Sequence, residues 1–274
     1  MPTHYFPPQP PLADFVGTFW LHEGDPPKHT LERHLPDGTM QLILNLRDDT
    51  FRLFDRQCPD ALTTVRGPLI TGPRDTYTLL DTACQATLLG VQFRPGGAFP
   101  LLGLPASGLR NADIPLDALW GAAAYDLRDR VLAAHTGEAR VRALEQTLTA
   151  RLACGEAPHP AVAFALREFH SLPHRGTVAE VIGRIGLSPR RFIQVFSQAV
   201  GLPPKTYCRV RRFHSALRAL SHGERAAWAE IAVSRGYYDQ AHFIHDFRAF
   251  SGLTPSAYLA QRGAHPNHVP IGQQ

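Results

Sequence analysis

The side chains of this 274-residue sequence with the spacing to do chemistry are mostly not those of a catalyst. His242 and His245 share a helical face, but a third ligand in metal spacing is missing, so no metal is expected there. His4, His22, His29, His34 and His135 in the first half include no close His-x-His pair of the kind a metal-dependent enzyme would use. Cys58, Cys84, Cys154 and Cys208 lie far apart with no CxxC spacing and read as reduced thiols. Pro95-Gly96-Gly97 is a turn rather than a phosphate loop, because no GxxxxGK[ST] follows it. No nucleophilic serine elbow or Cys/His pairing stands out, so neither a catalytic constellation nor a cofactor is expected. What remains is a set of outward-facing polar side chains near the C-terminus: Arg190, Arg191 and Gln194, then Gln240, His245 and Arg248.

These residues are presented by a stretch that is written twice. Glu180, Gly186, Phe192, Phe196, Gly201, Pro204 and Tyr207 recur as Glu230, Gly236, Phe243, Phe247, Gly252, Pro255 and Tyr258. The offset grows from 50 to 51 residues after the glycine, placing one inserted residue in the Tyr237-Tyr238 turn. In the first copy Val178, Val181, Ile182 and Ile185 form one face of a short helix, and Gly186 allows a turn at positive φ. Ser188 then suits an N-cap and Pro189 the first helical position. Phe192, Val195 and Phe196 point inward, leaving Arg190, Arg191, Ile193 and Gln194 outside. The second copy repeats this with Ile231, Ala232 and Val233, the Gly236 turn and Asp239 as cap. Phe243 and Phe247 point inward there, and Gln240, Ala241, Ile244, His245 and Arg248 lie on or near the outer side. Helix, glycine turn and capped second helix is helix-turn-helix grammar. Residues 205–220 between the copies read as one helix carrying Arg209, Arg211, Arg212 and Arg218. The charge agrees: residues 1–157 hold 14 basic against 18 acidic side chains, and residues 158–274 hold 14 against 6. A net −4 followed by a net +8 points the second half toward a polyanion.

The motifs Gly186-Leu187-Ser188-Pro189-Arg190-Arg191-Phe192 and Gly201-Leu202-Pro203-Pro204-Lys205-Thr206-Tyr207 resemble the AraC/XylS family of bacterial transcription regulators. So, above all, does the run from Ile231-Ala232 through Gly236-Tyr237-Tyr238-Asp239-Gln240-Ala241-His242-Phe243 to Gly252-Leu253-Thr254-Pro255 and Tyr258. The resemblance spans about residues 160–262. It implies a seven-helix domain that sets two recognition helices in successive major-groove segments. Carried over by position, base reading falls to Arg190, Ile193 and Gln194 in the first recognition helix, and to Gln240, Ala241, Ile244 and His245 in the second. A guanidinium can fork onto guanine and a glutamine amide onto adenine, while Ile193 and Ala241 offer apolar contact to a thymine methyl. Ser188, Arg191, Lys205, Arg209, Arg212 and Arg248 are then assigned to phosphates. Ile182 departs from the family, which has a small residue there.

The first half reads as β. Residues 39–46, 51–54, 77–80 and 86–93 are strand candidates separated by Gly/Pro turns. Its stretches Leu35-Pro36-Asp37-Gly38-Thr39-Met40-Gln41-Leu42-Ile43 and Val91-Gln92-Phe93-Arg94-Pro95-Gly96-Gly97-Ala98 are similar to sensor domains found ahead of this DNA-binding module. That likeness implies a cupin-like β-barrel with a small effector in its mouth, for which Arg33, His34, Asp37, Gln41, Gln92 and Arg94 are the candidate polar groups. The expected fold is therefore α+β, with a β-rich sensor over residues 1–110 and a helical extension over 111–153. A linker (154–160), a tandem helix-turn-helix domain (161–262) and a disordered tail (263–274) follow. In the extension, Val141, Leu144, Leu148 and Leu152 form a stripe that either packs at home or makes a dimer seam.

No apolar run approaches the ~20 residues of a membrane span, and the N-terminus lacks a signal-peptide pattern, so a cytoplasmic protein is expected. The functional expectation is a non-enzymatic, sequence-specific transcription regulator with double-stranded DNA as partner. A small-molecule effector, a homodimer, and RNA polymerase in the case of an activator are further expected partners. The rival readings are a cupin-type metal-dependent enzyme fused to a DNA module, and a regulator with no ligand.

Overall fold

The computed structural model describes residues 3–54, 62–152, 155, 157–170, 177–221 and 228–271. The first half is β-rich, as alternation predicts, and its strands form two antiparallel sheets. The strands in chain order are β1 (Thr3–Phe6), β2 (Val16–Glu23), β3 (Leu31–His34), β4 (Gln41–Asn45), β5 (Thr50–Phe54) and β6 (Leu62–Arg66). They continue with β7 (Leu69–Thr71), β8 (Thr78–Asp81), β9 (Thr87–Phe93), β10 (Asp113–Pro115) and β11 (His268–Pro270). One sheet has the order β1-β2-β9-β4-β7-β10 and the other β11-β3-β8-β5-β6.

The six-stranded sheet has two different faces because side chains alternate along each strand. Phe19 and Leu21 of β2, Leu42 and Leu44 of β4, Ile70 of β7, and Leu89, Val91 and Phe93 of β9 form a dry outer face. Helices α1 (Phe99–Leu102), α2 (Asp117–Trp120), α3 (Ala122–Ala133) and α4 (Gly137–Leu152) cover it. Val141, Leu144 and Leu148 of α4 are 4%, 0% and 0% exposed within this core, so the stripe is used at home and offers no dimer seam. The residues between, Thr18, Trp20 and His22 on β2 and Gln41 and Ile43 on β4, face the second sheet.

The second half is helical: α5 (Pro160–His170), α6 (Val178–Gly183), α7 (Pro189–Val200), α8 (Pro204–Ser221), α9 (Trp228–Ser234), α10 (Gln240–Ser251) and α11 (Pro255–Gln261). Its core is aromatic. Phe192, Phe196, Phe213, Phe243, Phe247 and Tyr258 are each fully buried, and edge-on contacts link Phe213 to Phe247 and Phe247 to Tyr258.

Two features differ from expectation. The halves are packed together rather than held apart by a linker: Leu35 and Val269 belong to the core of the helical half. Gly201 (φ 85°) caps α7 against Pro73, and a Cβ there would lie 2.3 Å from the proline ring. The tail is also ordered as far as residue 271. Residues 268–270 add β11 to the edge of the five-stranded sheet, because β3 there has free ladder groups and Val269 finds a dry site. Residues 272–274, Cys58, and Cys154 and Glu156 of the expected linker lie outside the described residues. Cys84 and Cys208 are free thiols.

Candidate nucleic-acid interface and effector cavity

The two repeats fold as helix-turn-helix units, α6 with α7 and α9 with α10. Gly186 (φ 74°) and Gly236 (φ 76°) make the turns. Thr177 and Glu180 form a capping box at the start of α6. The Ser188 hydroxyl accepts from the Arg191 amide at 3.3 Å, and the Asp239 carboxylate accepts from the His242 amide at 2.7 Å. The second cap comes one residue later after its glycine, where the spacing places the insertion. Tyr238 fills that longer turn and is 90% exposed, whereas Tyr237 is buried against Phe243. Val233, expected with the apolar face, is 66% exposed; Ile231, Ala232 and Trp228, which stacks on Phe243, carry the packing. Ile182 is accommodated half-buried against the core of the helical half.

The seven residues assigned to bases share one property: none is part of the core. Arg190, Ile193, Gln194, Gln240, Ala241 and His245 are exposed, and Ile244 is half-buried. Ile193 is 43% exposed. Arg191 donates to the Gln194 amide oxygen at 3.0 Å, so the two side chains are joined by one hydrogen bond in the free protein. Between the units, α8 has 18 residues and hence a length of ~27 Å.

The phosphate set divides. Ser188, Arg191, Lys205 and Arg248 are exposed. Arg209 and Arg212 point elsewhere. The Arg209 guanidinium forks onto Asp246, at 2.6 Å from Nη2 and 3.4 Å from Nε, and lies over the Phe250 ring. Arg212 donates to the Gly236 carbonyl at 2.7 Å and stacks on Tyr237. Both therefore tie α8 to the second unit, because the face of α8 that carries them is covered by α10 and the second turn. An acidic neighbour does stand beside His242: Asp246 lies 3.8 Å from its Nε2, but Arg209 engages that carboxylate. Among the described residues, no group of three or more His, Cys, Asp or Glu is placed to hold a metal.

Between the two sheets lies a cavity of about 850 Å³. Of the six effector candidates, His34, Asp37, Gln41 and Gln92 line it and Arg33 and Arg94 do not. Arg33 sits between Glu32 and His34 on β3, so alternation turns it to the opposite face, over the Tyr77 ring. Arg94 follows the end of β9 and donates to the Ala13 and Val16 carbonyls. Asp37 accepts from Thr39 and from the Gln92 amide at 3.0 Å, which orders this corner. The floor is Trp20 laid across Gly90, its register partner on β9; a Cβ at Gly90 would come within 2.2 Å of the indole.

Three pairs of charged groups stand in the wall: Arg74 with Asp113, Arg52 with Asp81 at 2.7 Å, and Glu32 with His268 at 2.6 Å. Burial alone would raise the Glu32 carboxyl, but hydrogen bonds from His268, Gln85 and His29 hold it down to about 2. His22, His34, His214 and His265 are all held below the ordinary histidine range, first by burial and then by neighbouring cationic groups. Sequence reasoning missed Trp20, Glu32, Arg74, Asp113, His214, Arg218 and His268. The alternation of Thr18, Trp20 and His22 was a usable signal for the first of these; nothing local linked His214 or His268 to a cavity in the other half.

A family model described as a helix-turn-helix domain matches residues 182–261, and one described as a domain of unknown function (DUF6597) matches residues 4–115. The chain is 33% identical over 72 residues to an uncharacterized HTH-type transcriptional regulator of Haemophilus influenzae, covering 26% of this chain and 24% of that protein. It is 28% identical over 159 residues to the arabinose operon regulatory protein of Escherichia coli, covering 53% and 54%. The match thus spans about a quarter and about half of these relatives' own lengths. Among solved structures, ToxT from Vibrio cholerae superposes with a TM-score of 0.46 at 10% identity, over 90% of this chain and 97% of that one.

Proposed function

We propose that this chain, whose second half is an AraC-type helix-turn-helix domain, is a sequence-specific transcription regulator of the cytoplasm. The observation that carries the reading is the pair of capped recognition helices, α7 and α10, with exposed polar N-terminal residues on a net-basic half. Arg190 and Gln194 read bases from the first helix and Gln240 and His245 from the second, with Ile193, Ala241 and Ile244 making apolar contacts. Ser188, Arg191, Lys205 and Arg248 hold phosphates. RNA polymerase is a partner if the regulator activates. Dimerisation, if it occurs, uses a surface other than the α4 stripe. The cavity between the sheets takes a small effector, since a half-open, mainly apolar space of this size with a few polar groups in its wall is of ligand scale.

Selection of bound duplexes from a random pool tests the reading. It should return a bipartite site whose two boxes lie about one helical turn apart. Recovery of no consensus would overturn it. Metal analysis with a turnover assay separates the rival enzyme reading, which requires a stoichiometric bound metal.

A further inference from the structure

The last described residues of the chain join things that the domain order keeps apart. Strand β11 follows α11, the final helix of the second helix-turn-helix unit, yet it pairs with β3 of the sensor in the register His268↔His34, Val269↔Arg33 and Pro270↔Glu32. The Leu35 amide donates to the Asn267 carbonyl at 2.8 Å and the Ile271 amide to Leu31 at 2.9 Å. The Asn267 side chain donates back to Leu35, and His268 meets the buried Glu32. At the other end Tyr258 of α11 donates to the Pro266 carbonyl at 2.9 Å, and Arg262 to Leu220 at the end of α8. Residues 264–268 are at the same time part of the cavity wall, together with His214 and Arg218 of α8.

This attachment is built to open. It is three residues of ladder, and Val269 is the one fully buried side chain within it. Short edge pairing with few buried contacts opens well below the cost of global unfolding. The second unit is held to the sensor at another point too: Gly252, which caps α10, abuts the Tyr77 ring. The first unit abuts Pro73 and the Ala106 carbonyl at Gly201. The sensor therefore touches both units in the free protein and, together with α8, holds their relative placement. Two consecutive major-groove segments demand a placement set by the duplex.

We propose that residues 264–271 are a latch. Closed, they wall the cavity and hold the second helix-turn-helix unit against the sensor; open, they free that unit to align on DNA. Latch opening and DNA binding are then linked, and the linkage is reciprocal. A molecule filling the cavity presses on the same wall, so occupancy biases the latch; this clause alone rests on the effector reading above.

The test uses the full chain and its selected duplex. Val269→Asn places an amide in the dry site without changing charge, so the salt dependence of DNA binding is left alone. It should bind the duplex about tenfold tighter, a typical coupling, and affinity within about twofold of the unsubstituted chain overturns the latch. In the unsubstituted chain, the duplex should speed hydrogen exchange at Leu35 and Ile271 while β9 amides stay protected. Unchanged or slower exchange at those two amides overturns it as well, and this measurement decides if Val269→Asn does not fold. Failure to select any duplex would remove the DNA-binding reading instead, so the two failures are distinguishable.

Discussion

Replacing Arg209 with alanine separates the two tasks open to an arginine on α8. The side chain of its partner, Asp246, is 1% exposed, whereas that of Arg209 is 40% exposed. Removing the guanidinium leaves a buried carboxylate with its main donor gone, and breaking a buried pair costs ~3–5 kcal/mol. Water reaches the exposed part of the Arg209 site and replaces some of that interaction, so the expected loss is about 2–3 kcal/mol. For a cooperative unit of this size, that lowers the melting temperature by roughly 4–12 °C. Replacing both partners by Met and Leu should recover stability to within ~1 kcal/mol, since neither buried charge then remains. Urea denaturation of the unsubstituted chain, Arg209→Met, Asp246→Leu and the double variant gives the coupling directly. DNA titrations across a salt series complete the assay. Arg209→Ala should leave the slope of log affinity against log salt unchanged, whereas Lys205→Ala should reduce it by about 1. An unchanged urea midpoint for Arg209→Ala, combined with a slope reduced by about 1, would refute the reasoning and return Arg209 to the phosphates.

Arg190→Ala should cost ~1–3 kcal/mol at one guanine and leave scrambled DNA little affected; equal losses on both sequences in a competition titration count against base reading. Gly90→Ala drives a methyl into the indole of Trp20, and the overpacking should destabilise by ~1–3 kcal/mol with a change in tryptophan emission; a neutral substitution would mean the floor can shift. Lowering the pH should weaken the fold near the latch. His22, His34, His214 and His265 have folded-state pKa values below their unfolded one, so their contribution is whole above about pH 7 and is lost as pH falls through the unfolded value near 6.5. Glu32 works in the same direction in a lower window, its contribution being lost only as pH falls from about 4.5 toward 2. Urea midpoints between pH 7.5 and 5 should therefore decline, and a flat profile would contradict burial of the neutral rings.

What could be read from the chain was whatever local spacing controls. Ser188 and Asp239 cap because a side-chain oxygen three residues before an amide needs no tertiary partner. Gly186 and Gly236 turn at positive φ for an equally local reason, and Phe192, Phe196, Phe243 and Phe247 announce their buried face by helical spacing. The strands around Leu42-Ile43-Leu44 and Leu89-Gly90-Val91 were legible from alternation, although which set would face helices and which a cavity was not. That choice belongs to the tertiary structure, since both faces of the six-stranded sheet carry apolar residues and only the packing of α1–α4 makes one of them dry. Tertiary structure likewise engaged Arg209 and Arg212 with the second unit, because the covered side of α8 depends on where α10 lands. It also drew residues 264–271 from an expected loose end onto β3, more than 200 positions away in the chain. Local spacing dictates helices, turns and caps through contacts a few residues long. The cavity, the inward arginines and the latch rest on contacts between distant segments, which no local pattern encodes.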